Sequence, residues 1–352
     1  MRAGPGALTP SPPGKGAPPT LEQVAALAGV SRATVSRVVN GSPKVSPEVR
    51  AQVERAVAKL GYVPNRAARS LVTRRAGSVA LVVSEPHARF FSEPFFAGMV
   101  RGVSGALAET GVQLLLLIAQ DLPDRGRLER YMVGGHVDGV LLASLHGDDP
   151  LPATLERAGV PAVLVGRPAA DRGAPASYVD ADNRGGARAA VAHLAARGRR
   201  RIATVSGPLD MGVGLDRLDG YRDGLAAAGL AADPGLVEPG DFTEEGGAAA
   251  TARLLARPGP PVDAVFAASD LMAAGALRAL RAAGRRVPEQ VAVVGFEDSA
   301  VARYAQPPLT TVRQPIEEMG RQATRLLLAK VAGEAAGMHL ILDVELVVRA
   351  ST

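Results

Sequence analysis

Residues 20–41 read TLEQVAALAGVSRATVSRVVNG. Thr20 and Gln23 stand at capping-box spacing, where a hydroxyl and an amide satisfy each other's free backbone N–H groups at a helix start. Behind them Leu21, Val24, Ala25 and Ala28 fall on one helical face. Gly29 breaks this helix in a tight turn. Ser31 is placed to cap a second helix whose apolar face is Val35, Val38 and Val39, and Asn40-Gly41 ends it. Two short helices joined by a turn of about three to four residues containing Gly form a helix-turn-helix. A third helix follows, with Ser46 as N-cap, Pro47 in its first position and Glu48 in the positively polarised first turn. Its residues Val49, Val53, Val57 and Leu60 are spaced to close a three-helix core.

The outward face of the second helix carries Arg32, Ala33, Thr34, Ser36 and Arg37. Arginine can take guanine O6 and N7 in a bidentate fork, and small Ala or Thr can touch a thymine methyl. Hydroxyls and backbone N–H groups at a helix start suit phosphates. The same face would also serve as the solvated side of a small helical domain. The next stretch, GYVPNRAARSLVTRRAG at 61–77, sets Arg66, Arg69, Arg74 and Arg75 beside Leu71. Pro64 and Asn65 can start a short helix through Leu71. An apolar side chain in a basic segment can wedge between base steps of the minor groove; a basic linker with a stray Leu is the plainer reading.

The charge distribution favours DNA. The 352 residues carry a net +5, but residues 1–75 hold 12 basic and 3 acidic side chains, and the remainder hold 28 and 32. A basic head on a mildly acidic body implies that the head meets a polyanion. Residues 20–75 are therefore expected to hold the salt-dependent DNA affinity. Few of the basic residues are Lys, which fits the codon bias of a GC-rich genome, so Arg-for-Lys choice carries little weight. The absence of cysteine excludes disulfides, thiolate metal sites and cysteine nucleophiles. No apolar run approaches the ~18 residues of a membrane span. Six Pro and four Gly among residues 1–19 read as a disordered tail rather than a signal peptide. A cytoplasmic protein with no membrane partner is expected.

Residues 20–77 closely resemble the DNA-binding head and hinge of the lac repressor (LacI/GalR) family of bacterial transcription regulators. The resemblance runs along VAALAGVSRATVSRVVNG (24–41) and GYVPNRAARSL (61–71). It implies that Arg32 and Ala33 read bases, with Arg37 as a further base contact. It implies phosphate contacts for Ser31, Thr34, Ser36 and Asn40. Asn65, Ala68 and Leu71 fall on the hinge helix. In the family two such helices pair in the minor groove, and the counterpart of Leu71 kinks the central step.

From residue 78 short apolar runs (78–83, 112–119, 137–144, 160–166) alternate with helical stretches (94–109, 124–134, 151–158). A second set runs from 177–183 through 200–207, 262–269 and 291–296, with helices between. Such alternation reads as parallel sheets covered by helices on both faces. The expected fold class is therefore α/β: a helix-turn-helix three-helix head and hinge helix, then two Rossmann-like lobes of periplasmic-binding-protein type. Ligands in such sheets sit beyond the carboxyl ends of the strands. Those ends offer Ser84, Ser144, Arg167, Asp180, Asp182, Ser206, Asp270, Glu297 and Asp298, groups that suit a polar small molecule. Four of the seven Phe residues lie within 90–96. Aromatic faces can sandwich a sugar or a base, or the rings simply pack a wall or a dimer contact.

The body also resembles the family's effector domain, along EPFFAGMVRGV (93–103), VDGVLL (137–142), DN (182–183), DRLDGYRDGL (216–225), AASDLMAAGAL (267–277), VVGFEDS (293–299) and PPLTTVRQP (307–315). That likeness implies effector contacts by Phe95, Phe96, Arg217, Asp270, Phe296 and Glu297, with Arg167 added from its strand end. The family more often has Asp where Glu297 stands, and a longer arm shrinks the pocket or moves the contact. The domains expected are a tail at 1–19, the helix-turn-helix at 20–63 and the hinge at 64–76. Lobe 1 is expected at 77–175 plus 309–334, and lobe 2 at 176–308 plus 335–352. Crossings are expected near 174–177, 305–309 and 334–337. A recognition helix reads a half-site, and two-fold pairing reads a palindrome. No leucine heptad follows the last strand, so a homodimer on double-stranded operator DNA is expected.

An enzyme is disfavoured: there is no G-x-G-x-x-G after the first strand, no P-loop, no G-x-S-x-G elbow and no H-E-x-x-H. No cofactor and no metal are expected. A transport binding protein would lack the basic head. The reading is a DNA-binding regulator, chiefly a repressor, controlled by a small-molecule effector with a sugar foremost; a purine or another metabolite acting as corepressor is the alternative.

Overall fold

The computed structural model describes residues 18–39, 41–63, 75–119, 122–147, 149–168, 177–334 and 337–352. Asn40, Asn65, Ala68 and Leu71 lie outside the described residues, as do the tail through residue 17 and the hinge segment 64–74. The chain divides into two compact units between Ala76 and Gly77.

The first unit is built on α1 (Leu21–Ala28), α2 (Arg32–Val39) and α3 (Pro47–Leu60). The capping box forms: the Gln23 N–H donates to Thr20 Oγ1, and the Thr20 N–H donates to Gln23 Oε1 at 2.9 Å. Gly29 closes α1 with φ 61°, a left-handed conformation that side chains with a Cβ resist. Ser46 caps α3 and Gly61 ends it in the same left-handed geometry. Val24, Val35 and Val53, one from each helix, are fully buried against one another's helices. Val49, Val57 and Leu60 are only half-buried around that core, and Ala56 takes the inner place on α3.

The second unit holds two six-stranded sheets. In chain order the strands are β1 (Ser78–Val83), β2 (Gln113–Ile118), β3 (Gly139–Ala143), β4 (Ala162–Val165), β5 (Tyr178–Ala181) and β6 (Ile202–Ser206). They continue as β7 (Val237–Pro239), β8 (Ala264–Ala267), β9 (Ala292–Glu297), β10 (Thr310–Arg313), β11 (His339–Leu342) and β12 (Glu345–Val347). The first lobe's sheet has the order β11-β5-β4-β3-β1-β2, with every pair parallel. The second lobe's has the order β12-β10-β9-β8-β6-β7, parallel except for the β10–β12 pair. Buried apolar clusters line both faces of each sheet, which is why runs such as SVALVV read as continuously apolar.

The lobe boundaries differ from expectation in three places. Segment 177–181 belongs to the first lobe, because β5 pairs directly with β4 before any helix intervenes. Segment 310–313 belongs to the second, because β10 pairs with β9 (Thr310 with Val294) and the chain returns only afterwards. The last apolar run is two strands, one in each sheet, broken at Asp343–Val344. The crossings therefore lie at 182–183, 314–315 and 343–344 rather than near 174–177, 305–309 and 334–337. Sequence reading also missed β7 and the short helices His87–Ser92 and Ala300–Tyr304, whose lengths leave little periodicity. Among the described residues no helix is long and apolar enough to cross a membrane.

Candidate functional site

The first surface of interest is the outer face of α2. Ser31, Arg32, Ala33 and Arg37 are exposed there, with Thr34 and Ser36 half-buried between them. Ser31 Oγ accepts the Thr34 N–H at 3.1 Å and lies 2.9 Å from Thr34 Oγ1, so both hydroxyls help fix the helix start. Arg32 Nε lies 3.0 Å from Glu22 Oε1, and both side chains are mostly exposed. An ion pair in water is worth little, so Arg32 can exchange it for a base edge at small cost.

The second is the cleft between the two lobes of the second unit. A cavity of about 880 Å³ opens there and continues along the β4–β5 side of the first lobe. Phe95 and Arg167 from the first lobe reach its wall, as do Arg217 and Glu297 from the second. Phe95 lies in α4 (Pro94–Leu107) and Arg167 follows β4. Arg217 sits in α5 (Gly212–Ala227), and Glu297 ends β9. Phe96, Phe296 and Asp270 are not among the cavity's lining residues. Phe96 is buried in the first lobe's core, and Phe296 lies beneath Arg217 with its ring centre 3.8 Å from the guanidinium carbon. Asp270 opens α6 (Asp270–Ala282) and accepts from Thr311 Oγ1 at 2.6 Å and from the Ser299 N–H at 2.7 Å.

Arg217 is 2% exposed and organises this region. It donates to Asn183 Oδ1 at 2.9 Å, to the Ala268 carbonyl at 2.5 Å and to Gln314 Oε1 at 3.2 Å. Asn183 Nδ2 in turn donates to Asp180 Oδ1 at 2.9 Å. Asn183 and Gln314 stand on two of the three crossings between the lobes. Burial holds the Arg217 guanidinium down to about 10, opposed by Glu297, Asp180, Glu93 and Asp270. The carboxylates respond in kind. Burial pushes Asp180 and Asp270 up to about 6. It pushes Glu297 well above the usual range, with Glu93 and Asp270 adding to the effect and Arg217 opposing it. Non-glycine residues with φ of 114° at Glu297 and 56° at Asp298 mark this strand end as backbone held by its surroundings.

Two family descriptions match the chain: the bacterial regulatory proteins of the lacI family over residues 20–65, and a periplasmic binding protein-like domain over 191–352. The chain is 57% identical over 334 residues to the HTH-type transcriptional regulator CelR of Thermobifida fusca, which covers 95% of this chain and 98% of that protein. It belongs to the LacI family of bacterial transcriptional regulators. The HTH-type transcriptional repressor CytR of Escherichia coli is 34% identical over 95% of the chain and 96% of its own length. A solved CelR–cellobiose complex matches with a TM-score of 0.77 at 55% identity, covering 95% of this chain and all of that one. The lac repressor dimer bound to operator and an anti-inducer matches with a TM-score of 0.83 at 29% identity, covering 96% and 99%.

The two lobes touch directly across the cleft. The Gly147 N–H of the first lobe donates to the Asp210 carbonyl of the second at 2.8 Å. His146 lies between Asp210 Oδ2 at 2.9 Å and Glu85 Oε1 at 3.0 Å, and these partners, Glu85 foremost, raise its pKa. A Cβ on Gly212 would collide with the Arg167 carbonyl, so glycine permits the approach of α5 to the first lobe. Arg89 bridges Glu85 and Glu93 at 2.9 and 3.0 Å and faces the Phe242 ring at 5.3 Å from its centre. Sequence reading gave no effector role to Arg89, Glu93, Asn183, Phe242 or Gln314, although Glu93, Asn183 and Gln314 lie in strings that resemble the family. Phe242 and Gln314 lie just after β7 and β10, and the unread strand and the misplaced crossing hid both. Of the Phe90–Phe96 cluster only Phe95 lines the cavity; Phe91 is 77% exposed.

Proposed function

We propose that the chain is a homodimeric repressor that holds a palindromic operator through α2 and the segment 64–74, and lets go when a sugar fills the cleft. Cellobiose, the ligand of the 55%-identical regulator, is the effector to try first. The observation carrying this reading is the position of Arg217: it faces the cavity while bonded to Asn183 and Gln314 on two crossings. A ligand that engages it biases the lobe arrangement, and the lobe arrangement sets the spacing of the two hinges. Phe95, Arg167, Arg217 and Glu297 contact the effector in this reading. Asp270, Phe96 and Phe296 hold the wall from behind. Ser31, Thr34, Ser36 and Asn40 take phosphates, and Asn65, Ala68 and Leu71 act in the minor groove.

The test starts from an operator selected by the purified chain out of genomic fragments. Fluorescence anisotropy then follows release during titration with cellobiose, glucose, nucleosides and purines. Release by cellobiose alone supports the reading. Tightening by a purine would replace it with the corepressor alternative.

The head makes its own prediction. Arg32→Ala is expected to lose discrimination at one base position, worth about 1–3 kcal/mol. Binding to a panel of single-base operator variants checks this. Uniform weakening across the panel would make Arg32 a phosphate contact instead.

A further inference from the structure

Arg167, an effector contact in the reading above, stands with Asp180 and Asp216 in a bridge across the cleft, and the two carboxylates are left unused by that reading. Arg167 and Asp180 come from the first lobe and Asp216 from α5 of the second, and all three line the cavity. Asp180 is 2% exposed. Its Oδ1 accepts from the Ala181 N–H and from Asn183 Nδ2, both at 2.9 Å. Its Oδ2 is buried with no hydrogen-bond partner, and the same holds for Asp216 Oδ2. Arg167 Nε stands 3.8 Å from each of these two oxygens, too far to donate but close enough to set one positive charge between them.

A buried carboxylate oxygen without a donor is costly, and the cost falls when a ligand brings the donor. A sugar hydroxyl does this, since it carries an O–H to give. At neutral pH a carboxylate group has no proton to give and a phosphate group is mostly without one, and both bring a like charge. The cations lining the cavity are already engaged: Arg167 stands between the two carboxylates, whose combined charge outweighs its own. Arg89 is held by Glu85 and Glu93, and Arg217 by three acceptors. Lys330 donates to the Ala162 carbonyl and to Ser177 Oγ.

We propose that Asp180 and Asp216 set the ligand class of the cleft: each accepts a hydroxyl of an uncharged sugar, one from each lobe, and together they exclude sugars bearing a carboxylate or phosphate. This rests on the sugar reading of the same cleft. Because the two acceptors belong to different lobes, the ligand that satisfies both also ties the lobes together.

Calorimetric titration of the full chain with three ligands tests the inference: cellobiose, its C1-oxidised acid, and cellobiose phosphorylated on a primary hydroxyl. The unaltered chain is expected to bind cellobiose at least about tenfold more tightly than either anion. Asp216→Ala is expected to weaken cellobiose about tenfold or more. Asp180→Asn keeps the Oδ1 acceptor and is expected to narrow the gap between neutral and anionic sugars about fivefold or more. Melting of the unliganded variants reports their folding, and if Asp180→Asn does not fold, Asp216→Ala decides alone. Equal binding of neutral and anionic sugars by the unaltered chain overturns the inference, as does full cellobiose affinity in Asp216→Ala. No heat from any of the three ligands overturns the sugar reading and this inference with it, whereas cellobiose binding indifferent to both substitutions overturns this inference alone.

Discussion

Arg217→Ala is expected to abolish the effector response and to cost the second unit about 3–5 kcal/mol of stability. Both effects follow from where the guanidinium sits. It is buried, stacked on Phe296, and bonded to Asn183, Gln314 and the Ala268 carbonyl. The carboxylates Glu297, Asp180, Glu93 and Asp270 all act on its proton. Removing the arginine leaves buried acceptors without donors and takes one counter-charge from Glu297 and its neighbours, which Arg89 and Arg167 only partly replace. The loss of response has a separate origin. Asn183 and Gln314 sit on crossings, and lobe rotation in two-lobed folds is absorbed by a few residues at such points. Without the arginine, a ligand no longer pulls on both crossings through one group. Arg217→Lys separates the two effects: it keeps a charge but loses the fork that reaches three acceptors. Thermal melting of the unliganded protein and operator release by sugar are measured on both variants. Lysine is expected to restore much of the stability and little of the response. A lysine variant that releases the operator as readily as arginine does would show that the fork is not the coupling element.

The legibility of this molecule in its sequence depended on the length of each signal. The helix-turn-helix was readable because Thr20, Gly29, Ser31 and Ser46 each perform a local task, at spacings that few other structures need. The sheets were readable because parallel strands buried on both faces leave continuous apolar runs. The crossings were not readable, because 177–181, 310–313 and 339–342 carry nothing local that says which sheet they join. Pairing partners decide it: Tyr178 with Leu164, Thr310 with Val294, Leu340 with Val179. The site inherits this division. Arg217 and Glu297 lie in strings long enough to resemble a known family. Gln314 lies in such a string too, but its role follows only from the pairing of β10 with β9, which puts the crossing on Gln314 itself. Asp180 was singled out as a strand-end carboxylate. Its unpartnered oxygen facing Arg167 and Asp216 depends on β5 closing the first lobe's sheet beside β4, which the sequence reading had assigned to the other lobe.

Acidification from pH 7.5 to 5.5 is expected to stabilise the second unit, the reverse of the usual acid response. Asp180 and Asp270 have carboxyls pushed by burial from 3.8 up to about 6. Between those two values the folded chain holds protons that the unfolded chain has released, so stability falls as pH rises through this range and levels off above it. The full window is worth about 3 kcal/mol for each group, and the step from pH 7.5 to 5.5 captures about 1 kcal/mol of it. Glu93 and Glu297, also raised chiefly by burial, act in the same direction. His146 does too: a histidine raised by Glu85 and Asp210 stabilises fully below its unfolded value near 6.5 and loses that contribution as pH rises through the folded one. His193, lowered by burial, works against these groups in the same range, one histidine against two buried aspartates, two buried glutamates and His146. The carboxyls held low by partners in this unit, among them Asp223, Glu238, Asp298 and Glu318, lose their contribution only as pH falls below their ordinary values of 3.8 to 4.5. The net expectation is a melting midpoint higher by about 3 °C or more at pH 5.5 than at 7.5, read by scanning calorimetry at low salt. Cellobiose at saturating concentration is expected to shrink that difference, because a hydroxyl donated to Asp180 favours its ionised form. A midpoint that instead falls steadily from pH 7.5 to 5.5 would mean that the buried carboxylates are ionised and balanced by the arginines around them. The cleft would then be an ion-pair lattice whose carboxylates keep their charge through this range, rather than a set of acids that take up protons as the pH falls through about 6.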